Sequence, residues 1–215
     1  MFKIKELTKQ FKAGRPIFSG FTKQVEQGRG IGLVGPNGSG KTTFLRILSV
    51  NSFPTSGSVE YQGVNIHEQP HDYLKDVGLV HDEETLPQHL SAAEMLEWVL
   101  RSRKLWNEHS TSAINQMLAD LSLEEKDEPI GTYSTGMKKK TQIAAALIIN
   151  PAVLILDEPL RGLDESTRKI VTDLLVERKK NQKAIILMSS HTMGNTDEIF
   201  DEILSFPLPK HNHKS

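Results

Sequence analysis

The sequence predicts an α/β protein built on a parallel sheet, with an antiparallel β section ahead of it and a helical insertion within it. Three observations carry this. The runs Ile31-Gly32-Leu33-Val34, Val153-Leu154-Ile155-Leu156 and Ala184 to Met188 are short, continuously apolar and bounded by turn residues, the pattern of strands buried on both faces. An amphipathic segment, Thr42 to Ser49, follows the first run after a Gly-rich loop, giving strand, loop, helix. Between Ser91 and Leu123 the apolar residues instead recur at helical spacing.

Taken in order, residues 1–30 read as short strands joined by turns at Ala13-Gly14, Ser19-Gly20 and Gln27-Gly28. The strand–loop–helix unit follows, then a short strand pair around Gly57 to Tyr61 and a strand at Val77 to Val80. In the helical stretch Met95, Leu96, Val99 and Leu100 share one face, and Ile114, Met117, Leu118 and Leu121 share another. Ser91 with Glu94 three residues later is a capping-box signature for the first of these helices. The chain then returns to two apolar strands with a helix-like stretch between them. The expected organisation is a single domain: an α/β core from residues 1–83 and 143–207, a helical lobe at 84–142 and a polar tail at 208–215. No tandem repeat or low-complexity segment interrupts it.

Composition narrows the function classes. The 215 residues are 37% hydrophobic and 25% charged, ordinary for a globular protein, and the formal net charge of -1 offers no broad positive field for nucleic acid or an anionic membrane surface. The lysine runs Lys138 to Lys140 and Lys179 to Lys180 are expected on solvated helix faces. The absence of cysteine excludes disulfides and thiolate metal sites and fits a reducing compartment. The start, MFKIKELTKQF, lacks the apolar core of a signal peptide, and no window approaches the ~20 apolar residues of a membrane span. A membrane role would therefore place the membrane part in another chain.

Two motifs carry chemistry. Gly35-Pro36-Asn37-Gly38-Ser39-Gly40-Lys41-Thr42 fits G-x-x-x-x-G-K-[ST] at every fixed position, with Thr43 next in the helix. Glycines let the backbone curl so that successive N–H groups point at phosphate oxygens, and the following helix adds its positive end. Lys41 is placed to reach β- and γ-phosphates and Thr42 to ligate Mg²⁺. A chance Gly-rich turn would lack both the strand before and the helix after. The second motif is Val153 to Leu156 ending in Asp157-Glu158, carboxylates at the C-terminal edge of a buried strand, where open α/β sheets bind ligands. Asp157 is expected to hold Mg²⁺ and Glu158 to act as general base on an attacking water. Alone, Asp-Glu-Pro could be a charged strand end opening a turn. The phosphate loop supplies its partner.

With these motifs the chain resembles the ABC ATPase cassette, a P-loop NTPase (RecA-like) fold, over nearly its whole length. Tyr133-Ser134-Thr135-Gly136-Met137-Lys138 stands in the place of the family's signature motif, Leu160-Arg161-Gly162-Leu163-Asp164 looks like its D-loop, and His191 like its switch histidine. The resemblance implies ATP and Mg²⁺ as cofactors and a head-to-tail pair of cassettes. In that pair Ser134 and the Gly136 N–H of one copy cap the γ-phosphate held by the other. It implies that His191 hydrogen-bonds the γ-phosphate and the attacking water, although a structural histidine near a strand end is the alternative. Phe11 stands where the family stacks an aromatic on adenine, and a core Phe on an early strand is the competing reading. The signature departs from Leu-Ser-Gly-Gly-Gln at Thr135 and Met137. The form Tyr-Ser-x-Gly-Met resembles the branch serving ABC-2-type exporters with separate membrane subunits. The family's Q-loop glutamine is replaced by Asp82, an oxygen donor for Mg²⁺, with Glu83 or Gln88 as alternatives.

The implied partners are a second nucleotide-binding subunit, identical or related, and transmembrane permease subunits contacting Val80 to Leu96. The implied location is the cytoplasmic face of the membrane, peripherally bound, with no nucleic acid. Among other ABC ATPases, translation-factor types carry two cassettes and a charged linker, and DNA-repair types a long coiled-coil insertion. Neither feature is present. A non-hydrolysing regulator would not need Lys41, Asp157, Glu158 and His191 together.

Overall fold

The computed structural model describes residues 1–81, 86–190 and 198–209. Five parallel strands form its central sheet in the order β6-β7-β8-β3-β9: β3 (Gly30–Val34), β6 (Val77–Val80), β7 (Val153–Leu156), β8 (Ile185–Ser190) and β9 (Glu202–Ser205). The apolar runs form strands here because both faces are covered. Val153, Ile155, Ile185 and Leu187 point into one hydrophobic cluster, while Leu154, Leu156, Ile186 and Met188 point into the other, as period-2 alternation requires. Strand β9 has no apolar run to announce it. Among the described residues it is a half-polar edge strand paired only with β3.

A second sheet is antiparallel, β2-β1-β4-β5, from β1 (Phe2–Lys12), β2 (Arg15–Val25), β4 (Ser56–Tyr61) and β5 (Val64–Asn65). The expectation of several short strands in residues 1–30 is corrected to one hairpin of two eleven-residue strands. Only Ala13-Gly14 turns that hairpin. Ser19-Gly20 lies inside β2 at a register shift, where the Gly20 N–H donates to Thr8 Oγ1 at 3.0 Å. A similar irregularity in β1, with Glu6 at φ 45°, resets the alternation so that Phe2, Ile4 and Leu7 all reach the core.

The helices are α1 (Lys41–Leu48), α2 (Pro70–Lys75), α3 (Ala92–Ser102), α4 (Ser110–Asp120), α5 (Thr135–Ile148) and α6 (Glu165–Gln182). The capping box forms: Glu94 N–H donates to Ser91 Oγ at 3.1 Å and Ser91 N–H to the Glu94 carboxylate at 2.8 Å. Helix α5 packs on α3, on α4 and on β6, so the helices share one hydrophobic cluster with one face of the central sheet. Arg103, just past α3, fastens this arrangement by donating to the carbonyls of Leu74 (2.7 Å), Lys75 (3.0 Å) and Val77 (3.2 Å).

The lysine runs are only partly solvated, which corrects the sequence reading. Lys139 is 3% exposed and Lys179 7% exposed, because consecutive helical residues point 100° apart and one of each run faces inward. Both cations are satisfied. Lys139 Nζ donates to the His81 carbonyl at 3.2 Å. Lys179 Nζ donates to the Glu198 and Ile199 carbonyls, each at 2.9 Å, and lies 3.3 Å from the Asp201 carboxylate. Asp201 in turn accepts the Gly30 N–H at 2.8 Å, pinning the start of β3.

Candidate functional site

The site lies beyond the C-terminal ends of the parallel strands. After β3 the chain curls through residues 35–40 and enters α1 at Lys41. Gly40 is the N-cap at φ 106°, a conformation that excludes a side chain in practice, and no side chain caps the helix. The first-turn N–H groups are therefore left without a side-chain cap, the arrangement in which a helix start receives an anion. The backbone is also packed too closely for anything larger than glycine at two points. A Cβ on Gly40 would lie 2.6 Å from Ile17 Cγ2, and one on Gly35 would lie 2.4 Å from the Phe206 carbonyl oxygen.

Lys41 is 6% exposed and donates to the Gly35 carbonyl at 2.7 Å and the Pro36 carbonyl at 3.1 Å, so the loop holds its own cation across its mouth. Ser39 Oγ is buried with no hydrogen-bond partner among the described residues. A buried hydroxyl left over in an anion cradle is a donor waiting for an acceptor. Asn37, Gly38, Ser39, Gly40, Lys41, Thr42 and Thr43 wall a cavity of about 150 Å³, closed on the other side by Glu158, Arg161 and Ile17. The structure thus brings the phosphate loop and Glu158 to one space.

The carboxylates are held from below. Asp157 is 5% exposed; its N–H donates to the Val80 carbonyl at 2.8 Å, and its carboxylate accepts the Ser189 hydroxyl at 2.6 Å. Glu158 turns the chain away from the sheet at φ 49°, and its N–H donates to Ser189 Oγ at 2.9 Å. Farther on, Asp164 caps α6. Its carboxyl is held well below the usual carboxylate range, first by the Ser166 hydroxyl and then by the Thr167 N–H and hydroxyl.

Ser134 is the N-cap of α5, exposed, accepting the Met137 N–H at 3.3 Å. Neither Ser134 nor Gly136 forms part of the wall of the Lys41–Glu158 cavity. Gly136 lies instead against Gly162, in the loop that follows Glu158. Phe11 is 71% exposed, with Lys9 Nζ 4.9 Å from its ring centre, so the core reading of this residue is overturned. Gln88 uses its amide on the Leu86 carbonyl at 2.7 Å. His191, Asp82 and Glu83 lie outside the described residues. Sequence reasoning missed Ile17, whose only signal is its place in the first hairpin. It also missed Ser189, whose only signal is a polar residue ending an apolar run.

The donor set fits a magnesium ion bound with a nucleotide. Mg²⁺ takes one or two protein oxygens and completes its shell with phosphate and water, and an exposed Thr42 hydroxyl and a buried Asp157 carboxylate match that demand. Among the described residues no cluster of three acidic or histidine side chains offers an all-protein cage.

An anion cradle at a helix start, faced by an Asp-Glu pair at the edge of a parallel sheet, defines a nucleotide-phosphate-binding core. Residues 18–161 match the family described as ABC transporter, and the chain belongs to that family as its ATP-binding cassette, an ATPase domain. It is 32% identical over 198 residues to the uncharacterized ABC transporter ATP-binding protein YcbN of Bacillus subtilis (strain 168), covering 92% of this chain and 63% of that protein. It is 32% identical over 204 residues to the bacitracin transport ATP-binding protein BcrA of Bacillus licheniformis, covering 94% and 65%. It is 34% identical over 205 residues to the phospholipid-transporting ATPase ABCA3 of Homo sapiens, covering 94% and 12%. The chain thus spans less than two thirds of the length of these curated relatives. The fold matches that of the ATP-binding cassette MJ0796, solved as a dimer in a post-hydrolysis state bound to ADP and Pi, with TM-score 0.84 and 24% identity over 96% of this chain and 94% of that one. It also matches an ATP-binding subunit of an ABC transporter with TM-score 0.87 and 23% identity over 96% and 85%.

Proposed function

We propose that the chain hydrolyses ATP at two composite sites in a head-to-tail dimer and passes the resulting closure to separate membrane subunits, in the direction of export. The observation that carries this reading is the division of the site. The phosphate loop and Glu158 share one cavity, while the Ser134 helix start stands exposed outside its wall. A second copy supplies what the first lacks.

In this mechanism the γ-phosphate draws Lys41 away from the Gly35 and Pro36 carbonyls. The N–H groups of residues 38–43 and the Ser39 hydroxyl take the phosphate oxygens. Glu158 orients the attacking water and accepts its proton. Mg²⁺, held by Thr42 and Asp157 and with Asp82 as a further oxygen donor, would neutralise phosphate charge. His191 hydrogen-bonds the γ-phosphate, Phe11 stacks on adenine, and Ser134 with the Gly136 N–H closes the γ-phosphate from the partner copy.

Helices α3 and α4 belong to a helical subdomain at 84–142, set on a core of 1–83 and 143–207. Permease contacts fall at Val80 to Leu96. The transport named for BcrA and ABCA3 supports this use of the cassette, and the Tyr-Ser-x-Gly-Met signature supports export. Among the described residues no helix is long and apolar enough to cross a membrane, in keeping with peripheral attachment at the cytoplasmic face.

Glu158→Gln tests the reading. ATP binding is retained, light scattering with MgATP gives twice the 24.1 kDa mass, and phosphate release falls about 10²- to 10⁴-fold, the range of a lost general base. Phosphate release close to the parent rate removes Glu158 from the base role.

A further inference from the structure

One hydroxyl touches both acidic residues of the site, the carboxylate of Asp157 and the backbone N–H of Glu158. Ser189 is fully buried near the end of β8, one residue past Met188, which pairs with Leu156 at the end of β7. Its Oγ donates to Asp157 Oδ1 at 2.6 Å and accepts the Glu158 N–H at 2.9 Å. Each bond has a separate consequence. A hydroxyl has a single proton, and here it is committed to Asp157, so a short charge-assisted bond holds that carboxylate in one orientation. The lone pair takes an N–H that the strand ladder does not reach, because Glu158 has already left the sheet at φ 49°. A non-glycine residue stays in that left-handed region only where its surroundings hold it there. Alanine or valine would continue the apolar run of β8 but would make neither bond.

We propose that Ser189 is a positioning residue for hydrolysis, setting the orientation of Asp157 and the backbone of Glu158 through its one hydroxyl. The inference rests on the roles of Asp157 and Glu158 given above. Ser189 lies two residues before His191 in sequence, so the strand that carries the hydroxyl also leads directly to that residue.

The test compares Ser189→Ala, Ser189→Cys and Ser189→Thr with Glu158→Gln and with the Ser189→Ala/Glu158→Gln double variant, each checked by thermal melting and assayed for ATP turnover. Ser189→Ala lowers kcat about 10- to 100-fold, the weight of one buried bond to a charged group, while KM for ATP moves less than about threefold. Ser189→Cys keeps the packing with a weak donor and acceptor and follows Ala, whereas Ser189→Thr restores most of kcat. In the Glu158→Gln background the Ala change adds less than about threefold, because both act on one step. Independent multiplication of the two defects would mark a merely structural role and overturn the inference. So would kcat within about twofold of the parent in the Ala and Cys variants, or failure of both to fold. If Glu158→Gln turns over ATP like the parent, the base assignment itself fails, whatever the serine variants do.

Discussion

Glycines in the phosphate loop do different work, and an alanine series separates the effects. At Gly38 (φ 74°) an added Cβ meets nothing within 4 Å, so Gly38→Ala carries only the backbone cost of a left-handed residue, about 1–2 kcal/mol. At Gly40 a less favourable φ of 106° combines with a collision at 2.6 Å against Ile17 Cγ2 on the neighbouring hairpin, giving about 2–4 kcal/mol. Gly35 has no positive φ, but its Cβ would strike the Phe206 carbonyl at 2.4 Å, a backbone atom that is held by the Phe206 N–H to Val34 carbonyl bond at 2.7 Å. For a chain of this size each kcal/mol moves Tm by about 2–4 °C, so Gly38→Ala loses about 2–8 °C and Gly40→Ala about 5–15 °C. Because Gly40 caps the helix whose first N–H groups lack a side-chain cap, Gly40→Ala also weakens ATP binding about 10- to 100-fold, the value of one charge-assisted hydrogen bond. Calorimetric melting and isothermal titration with ATP read both quantities. Equal melting points for Gly38→Ala and Gly40→Ala, or parental affinity in Gly40→Ala, would refute the assignment of the cost to close packing at the helix start.

Other outcomes follow from single contacts. Ser134→Ala removes the α5 cap and costs about 1 kcal/mol in a melt. Its turnover nevertheless falls at least about 100-fold while ATP binding to the isolated chain is unchanged, a split that a purely structural residue would not give. Arg103→Ala removes the side-chain donor that three carbonyls share and lowers stability by about 2–3 kcal/mol, measured by denaturant titration, with an unchanged midpoint contradicting the role given to it. For Asp201, burial opposes the charged form, but the Gly30 N–H, Lys179 and Arg29 outweigh it and hold the carboxyl below its ordinary value. The unfolded chain then takes up this proton first, so the contribution is complete above about pH 4 and is lost as pH falls through the folded value. Asp201→Asn therefore flattens the acid limb of the stability curve, and an unaltered limb would disprove it.

The buried parallel strands were legible because nothing but a two-sided sheet accommodates runs such as Val153 to Leu156. The phosphate loop was legible because its fixed positions follow from backbone geometry. Other features depend on tertiary context. Strand β9 owes its existence to the open edge of β3, not to its own residues. The Ser19-Gly20 pair reads as a turn in sequence, yet long pairing with β1 absorbs it as a bulge. Lys139 and Lys179 look like solvated charge until their carbonyl partners, distant in sequence, are in place. In the site, Asp157 and Glu158 stood out as candidates because they end a buried apolar run and the phosphate loop offers them a partner, whereas Ser189 meets them only through the register between β7 and β8.

The composite site proposed above would make activity depend on encounter between copies. The most direct measurement is the specific ATPase rate across protein concentrations spanning the monomer–dimer transition, with sedimentation velocity under the same MgATP conditions. The specific rate should rise in proportion to concentration while monomers dominate and level off as dimers fill. A rate per chain that is constant down to fully monomeric protein would contradict the division of the site between two copies.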